Sequence, residues 1–155
     1  MRPGRRHFLR ITGAIATAAM VGGPVEAQRR RGTMRELEAA VRATVGEGPI
    51  VEGRVTVEIP ALVENGNAVP LTVRVESPMS ADDHVRAIHV FSEKNPRPSI
   101  VSFHLGPRAG RAEISTRIRL VDTQTVVAVA ETSDGRRWSG RTDVVVTLAA
   151  CLEDA

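Results

Sequence analysis

Apolar and polar residues alternate in several short segments, and this pattern limits the possible folds of the chain more than any other feature. Val55, Val57 and Ile59 are separated by polar residues, and residues 69–75 repeat the pattern with four apolar positions. Side chains of a strand point alternately to the two faces of its sheet, so a period of two predicts half-buried β-strands. Further predicted strands occupy residues 85–91, 100–105, 112–120 and 125–131, with Trp138 and residues 144–148 last.

Turn-forming residues separate these segments. The clearest are Asn65-Gly66-Asn67, Asn95-Pro96, Gly106-Pro107 and Asp134-Gly135, the last of which lies where a hairpin loop is expected. Seven or more short strands at this spacing predict an all-β, antiparallel β-sandwich with Greek-key connections. The rhythm of parallel βαβ units does not occur in this sequence.

One helix is predicted ahead of the strands, over residues 33–45. Thr33 is the expected N-cap, with Glu36 as its capping-box partner, and Leu37, Ala40, Val41 and Val45 repeat at helical spacing. Gly46 and Gly48-Pro49 are expected to end it. The core should be aliphatic, because aromatic residues make up only 3% of the chain; its expected large members are Phe91, Phe103 and Trp138.

The first 27 residues read as an export signal. A basic start precedes a weakly apolar run over residues 11–21, which is shorter than the roughly 20 residues that span a bilayer. Arg5, Arg6, Phe8 and Leu9 resemble a twin-arginine signal, and Val25-Glu26-Ala27 resembles a cleavage site. We therefore expect a periplasmic protein, exported by the twin-arginine pathway, without a stable membrane anchor.

Removal of this segment would change the net charge of the protein. The formal net charge of the chain is +3, and the first 27 residues carry all of it. The remainder holds equal numbers of basic and acidic residues, so the high isoelectric point does not indicate a nucleic-acid partner. The expected organisation is a leader over residues 1–27, a β-sandwich domain over 28–148 and a C-terminal arm over 149–155.

Cys151 is the only cysteine, and it lies three residues after the end of the predicted last strand. In an oxidising compartment a lone cysteine makes no internal disulfide, so it is buried, paired between chains, or used chemically. Two alternatives are open: a thiol packed beneath the last strand, or an accessible attachment point on a terminal arm.

The remaining chemistry-bearing residues are few. His89 and His104 lie on neighbouring predicted strands, but neither a carboxylate nor a cysteine lies at ligand spacing, so no metal is predicted. Asp82-Asp83-His84 is typical of a solvated turn. No Ser-His-Asp order and no phosphate-binding glycine loop is recognisable, so catalytic residues are not predicted.

Several blocks of the sequence, in order, resemble the SoxY sulfur-carrier family of periplasmic thiosulfate oxidation. The resemblance spans residues 37–151 and is carried by residues 64–71, 77–79, 87–96, 112–120 and 125–131, together with Cys151. It implies an immunoglobulin-like sandwich that forms a heterodimer with a SoxZ-like β protein. It also implies a flexible C-terminal arm, on which Cys151 covalently carries a thiosulfate-derived sulfur species between periplasmic sulfur-oxidising enzymes. A bound cofactor is not implied, and the chain would be a substrate-bearing subunit and not an enzyme.

The arm departs from the usual Gly-Gly-Cys-Gly-Gly ending of the family. Ala149, Ala150, Cys151, Leu152 and Glu153 resemble instead a SoxY-related subgroup named for an Ala-Ala-Cys-Ile-Glu arm. Alanine stiffens a tail relative to glycine, and acidic neighbours disfavour a thiolate or an anionic cargo. The alternative function is therefore a non-catalytic binding module of a periplasmic redox system, with a modified or different cargo on the arm.

Overall fold

A computed structural model describes the backbone of residues 23–150 and the side chains of residues 33–150. The helix α1 spans Gly23–Val45 and is followed by nine described strands. Their bounds are β1 Val51–Glu52, β2 Val55–Glu58, β3 Leu62–Val63, β4 Val69–Val75, β5 Val85–Ser92, β6 Ser99–His104, β7 Glu113–Ile118, β8 Gln124–Thr132 and β9 Arg137–Val146. Within these residues, no helix is long and apolar enough to cross a membrane.

Helix α1 ends where the sequence predicted, at Val45, but it begins ten residues earlier than Thr33. The predicted capping box is therefore wrong. Residues 23–32 contain proline only at Pro24, in the first turn, where a helix tolerates it, and several of the others are good helix formers. Thr33 lies inside the helix, and its Oγ1 donates a hydrogen bond to Glu93 Oε1 at 3.1 Å.

The strands form two sheets, as predicted for a sandwich. In the larger sheet the order is β1-β9-β8-β5-β6, with β3 also paired to β9, and in the smaller sheet it is β2-β4-β7. All pairings are antiparallel except those of β1 and β3, each of which runs parallel to β9 for two residues. These two short strands were not predicted, because two residues cannot show a period.

The main core lies between the sheets and is aliphatic, as expected. From β4 it takes Val69, Leu71, Val73 and Val75, the four positions predicted to share one face. The sheets approach each other closely at Gly140 of β9, where an added Cβ would lie 2.1 Å from the carbonyl oxygen of Val55 on β2. A glycine at this position lets the backbones of the two strands meet.

A second apolar cluster lies between α1 and the outer face of the larger sheet. Leu37 and Val45 of the helix pack there with Phe91 of β5 and Val129 of β8. Phe91 was predicted in the sandwich core, which is wrong. Strand β5 is buried on both faces, so its apolar run has no alternation that would assign Phe91 to one of them. Phe103 and Trp138 are partly buried at the margin of the main core.

Candidate functional site

The chain that leads to Cys151 remains attached to the sandwich after its last strand ends at Val146. The amide of Thr147 donates to the carbonyl oxygen of Val63 at 3.0 Å, and the amide of Gly66 donates to that of Leu148 at 2.8 Å. Residues 147 and 148 therefore continue alongside the segment that follows β3.

One further hydrogen bond holds Ala150. Its amide donates to the carbonyl oxygen of Leu120 at 3.1 Å, while the amide of Leu120 donates to the carbonyl oxygen of Gly66 at 2.8 Å. We call the contacts of residues 147–150 with Val63, Gly66 and Leu120 the arm clamp. A buried backbone hydrogen bond contributes roughly 0.5–1.5 kcal/mol net, so the three that hold residues 147–150 together contribute on the order of a few kcal/mol.

Gly66 is the point at which the clamp is most crowded. A Cβ on this residue would lie 2.2 Å from the carbonyl oxygen of Leu120 and 2.8 Å from the amide nitrogen of Ala150. It begins a short 3₁₀ turn, Gly66–Ala68, in which the Asn65 side chain accepts a hydrogen bond from the amide of Asn67 at 2.9 Å. The turn holds Gly66 in position, and the missing side chain lets three backbones converge.

Leu120 is a rigid anchor for the other side of the clamp. Its side chain is fully buried in the main core. The Asn95 side chain holds both neighbours, since its Nδ2 donates to the carbonyl oxygen of Arg119 at 2.8 Å and its Oδ1 accepts from the amide of Val121 at 3.2 Å. The sequence predicts Asn95 only as a turn residue. Its contact with the loop before Leu120 could not be predicted locally, because Arg119 lies 24 residues further along the chain.

Of the predicted arm residues, the structure describes Ala149 and Ala150. Ala149 is exposed, whereas Ala150 is 5% exposed and belongs to the clamp. Residue 150 is therefore packed on the sandwich. Cys151, Leu152 and Glu153 lie outside the described residues, as do Arg5, Arg6, Phe8 and Leu9 of the signal motif.

The two strand histidines lie on the outer face of the larger sheet. His89 is 5% exposed, and its Nδ1 lies 2.7 Å from Ser102 Oγ in a hydrogen bond. Its Nε2 lies 3.4 Å from Glu131 Oε1, close enough for an ion pair with a charged ring, but it makes no hydrogen bond. The His104 ring is perpendicular to it, with centroids 6.2 Å apart.

Among the described residues, no group of three or more His, Cys, Asp or Glu side chains is placed to hold a metal ion. Burial lowers the pKa of His89 below its ordinary value; the Glu131 carboxylate opposes this effect and His104 adds to it. The neutral ring is accordingly a hydrogen-bonded member of the sheet face.

The chain is similar to known proteins in both sequence and fold. A sequence model of the family described as "Sulfur oxidation protein SoxY" matches residues 41–151. The fold is similar to that of the sulfur carrier protein SoxY from Chlorobium limicola f thiosulfatophilum. The TM-score is 0.63 at 30% identity, over 74% of this chain and 99% of that one. None of the curated proteins matches the chain.

Two more distant solved structures share the fold alone. Superoxide reductase (neelaredoxin) from Ignicoccus hospitalis has a TM-score of 0.55 at 17% identity, over 61% of this chain and 80% of its own. Superoxide reductase from Nanoarchaeum equitans has a TM-score of 0.53 at 12% identity, over 62% of this chain and all of its own.

Proposed function

The chain belongs to the SoxY family of sulfur oxidation proteins, and from that premise we propose that it is a covalent sulfur carrier. Cys151 holds a thiosulfate-derived species and presents it to separate sulfur-oxidising enzymes in the periplasm. The chain is then the bearer of the substrate and not the catalyst. The observation that supports this most directly is that the family match runs to residue 151 and so includes the only cysteine.

The loading step can be written so that it balances. The Cys151 thiol loses its proton, and its sulfur forms a disulfide bond with the outer sulfur of thiosulfate. Two electrons are released, and a redox enzyme of the periplasm accepts them. The product is a cysteine S-thiosulfonate that keeps one negative charge. Thiolates are the reactive form in disulfide chemistry. A loading site with basic groups would therefore stabilise both the Cys151 thiolate and the thiosulfate anion.

The arm clamp supports a carrier role for Cys151. Because Ala150 is held by Leu120 and Leu148 is held by Gly66, the chain is fixed on the sandwich up to the residue before Cys151. A thiol at a defined exit can be offered in the same geometry to successive enzymes.

A substitution separates a carrier thiol from a structural one. Cys151→Ser should abolish enzyme-dependent loading by thiosulfate, read as the intact-mass increase of the protein. Its melting temperature should change little, since substitution of a residue on an accessible arm would cost well under ~1 kcal/mol. Ala149→Ser is the matched control, because it adds a hydroxyl to an exposed residue of the same segment and leaves the thiol in place.

Alkylation of Cys151 provides the result that would contradict the carrier function. A Cys151 that resists alkylation until the protein unfolds, both alone and in complex with a partner, would show a buried structural thiol. Burying a serine hydroxyl without a partner there would cost roughly 1–3 kcal/mol, which thermal unfolding would detect.

A further inference from the structure

The arm clamp limits how far the sulfur can travel. With Ala150 held against Leu120, the Cα of Cys151 follows at about 3.8 Å, and its side chain adds two bonds. Without the clamp, the five residues from 147 to 151 could extend about 17 Å beyond Val146. An enzyme that acts on the clamped arm therefore has to approach the sandwich itself and cover the surface around the exit. This step rests on the carrier function proposed above.

That surface is apolar where the clamp begins. Only five large apolar side chains are exposed in residues 33–150, and three of them lie on the two segments that form the clamp. Leu62 is 59% exposed, Val145 is 49% exposed and Leu148 is 67% exposed. Leu62 and Val145 are direct partners in the β3–β9 ladder, so their side chains lie on one face. We call these three residues the exit patch.

Acidic residues flank the exit patch on both segments. Glu64 lies two residues after Leu62, and Asp143 lies two residues before Val145; both are exposed. Two residues along a strand return to the same face, so Asp143 shares the face of Val145. The surface thus combines an apolar centre with negative charge. A partner surface that has apolar residues surrounded by basic ones would be complementary to it.

We propose that the exit patch is the surface on which a sulfur-oxidising enzyme docks while it acts on Cys151. The enzyme presents an apolar rim around its entrance, with basic residues that face Glu64 and Asp143. Basic groups at that entrance also suit the anionic sulfur cargo. Exposed apolar residues beside a required approach route are typical of a docking surface.

The chain offers a closely matched pair of variants for the test. Val145 lies in β9, and Val51 lies in β1, which pairs with β9. Both valines are 49% exposed. Val51 lies at the opposite end of β9, beside Trp138. We expect Val145→Lys to lower kcat/KM for loading by about tenfold or more, because a lysine ammonium would be buried in the apolar contact. Val51→Lys should load like the wild type.

Loading is measured with thiosulfate, ferricyanide as electron acceptor and the purified enzyme that loads the wild-type protein, and it is followed by intact mass. Alkylation of Cys151 by iodoacetamide needs no docking, so its rate should be the same in both variants. If Val145→Lys does not fold, Leu148→Lys takes its place, since Leu148 lies outside the strands and is the most exposed of the three.

The results distinguish the two proposals. If Cys151→Ser abolishes loading but Val145→Lys loads at the wild-type rate, the docking surface is wrong and the carrier function stands. If the wild-type protein is not loaded at all, both proposals fail. If Val145→Lys instead prevents binding of a SoxZ-like subunit or dissociates a homodimer, the exit patch belongs to that interface and docking of the enzyme there is overturned.

Discussion

Gly66 lies where three backbone segments meet, and it shows how one residue can position a distant functional group. The space that its missing side chain leaves is occupied by the carbonyl oxygen of Leu120 and the amide of Ala150. Its amide donates to the carbonyl oxygen of Leu148, and its carbonyl oxygen accepts from the amide of Leu120, which in turn binds Ala150. The absence of a side chain at residue 66 therefore lets the segment before Cys151 pack closely on the sandwich.

Gly66→Ala should destabilise the protein by about 1–3 kcal/mol, because the new Cβ would overlap backbone atoms that cannot move independently. Hydrogen exchange at the Ala150 amide should also accelerate, since the clamp opens. Gly106→Ala is the control: Gly106 has an extended φ of −133°, and a Cβ there would meet nothing within 4 Å. Its stability should stay within about 0.5 kcal/mol of the wild type. Equal melting temperatures and equal Ala150 exchange in the two variants would contradict the clamp.

His89 makes a pH dependence predictable at the residue scale. Burial lowers the pKa of His89; Glu131 opposes this lowering and His104 adds to it. In the unfolded chain the pKa of a histidine is about 6.5. The unfolded state thus binds more protons in the window between the two values. The contribution of His89 to the free energy of unfolding should be complete above about pH 6.5. It should decrease as the pH drops toward the lowered pKa of the folded state.

The measurement for His89 compares two pH profiles. The free energy of urea unfolding of the wild type should fall more steeply below about pH 6.5 than that of His89→Gln, which cannot titrate. Parallel profiles of the two proteins between pH 7 and 5 would mean that His89 does not contribute.

At the scale of elements, α1 and β9 organise the molecule. Strand β9 pairs with β8 on one edge and with β1 and β3 on the other, and its end leads directly into the arm clamp. Helix α1 covers the outer face of the same sheet through its own apolar cluster. The larger sheet therefore packs in the main core on one face and, around Phe91 and Val129, against α1 on the other.

The contribution of α1 can be measured with two substitutions in the helix. Leu37→Ala should cost about 2–4 kcal/mol, because Leu37 is 4% exposed and packs in the apolar cluster with Phe91 and Val129. Met34→Ala should cost less than about 1 kcal/mol, because Met34 is 39% exposed. Urea unfolding of both variants provides the test. If Leu37→Ala costs as little as Met34→Ala, docking of α1 is not coupled to the stability of the sandwich.

At the scale of the whole molecule, membership of the SoxY family implies a partner system for sulfur oxidation. Strand β6 at one end of the larger sheet and β7 at one end of the smaller sheet each have a single neighbour in their sheet. Such edges expose unpaired backbone groups and are usually covered.

We expect a heterodimer with a SoxZ-like protein. Native mass spectrometry of the co-expressed pair should show a one-to-one complex, and Val145→Lys should retain it, because the exit patch is assigned to the enzyme. Two separate monomers at micromolar concentration would argue against the pairing.

The expected export by the twin-arginine pathway also concerns the whole chain. Replacing Arg5 and Arg6 with lysine should stop transfer to the periplasm, because the twin-arginine pathway reads the paired guanidinium groups. Arg30→Lys with Arg31→Lys is the control, since this second pair follows the expected cleavage site. Fractionation of cells that can use only that pathway gives the result. An unchanged periplasmic yield of the Arg5 and Arg6 variant would show that residues 1–27 are not such a signal.

Much of the fold could be predicted from the sequence because its signals are local. The period of two determined the positions of β2, β4 and β7, and Gly46 determined where α1 ends. Asp134-Gly135 marked the hairpin between β8 and β9, where Gly135 has a φ of +81° that glycine adopts readily. Each of these signals acts within a few residues, so the sequence alone contains them.

Only the tertiary structure decided the contacts between residues that lie far apart in the chain. Phe91 could face the core or α1, because β5 is apolar on both faces. The pairing of β1 and β3 with β9 involves too few residues to leave a pattern. The arm clamp joins Gly66, Leu120 and Ala150 through backbone atoms, which every residue possesses, so no side chain signals it. The way residues 147–150 are held on the sandwich thus followed from packing, while the presence of Cys151 followed from the sequence.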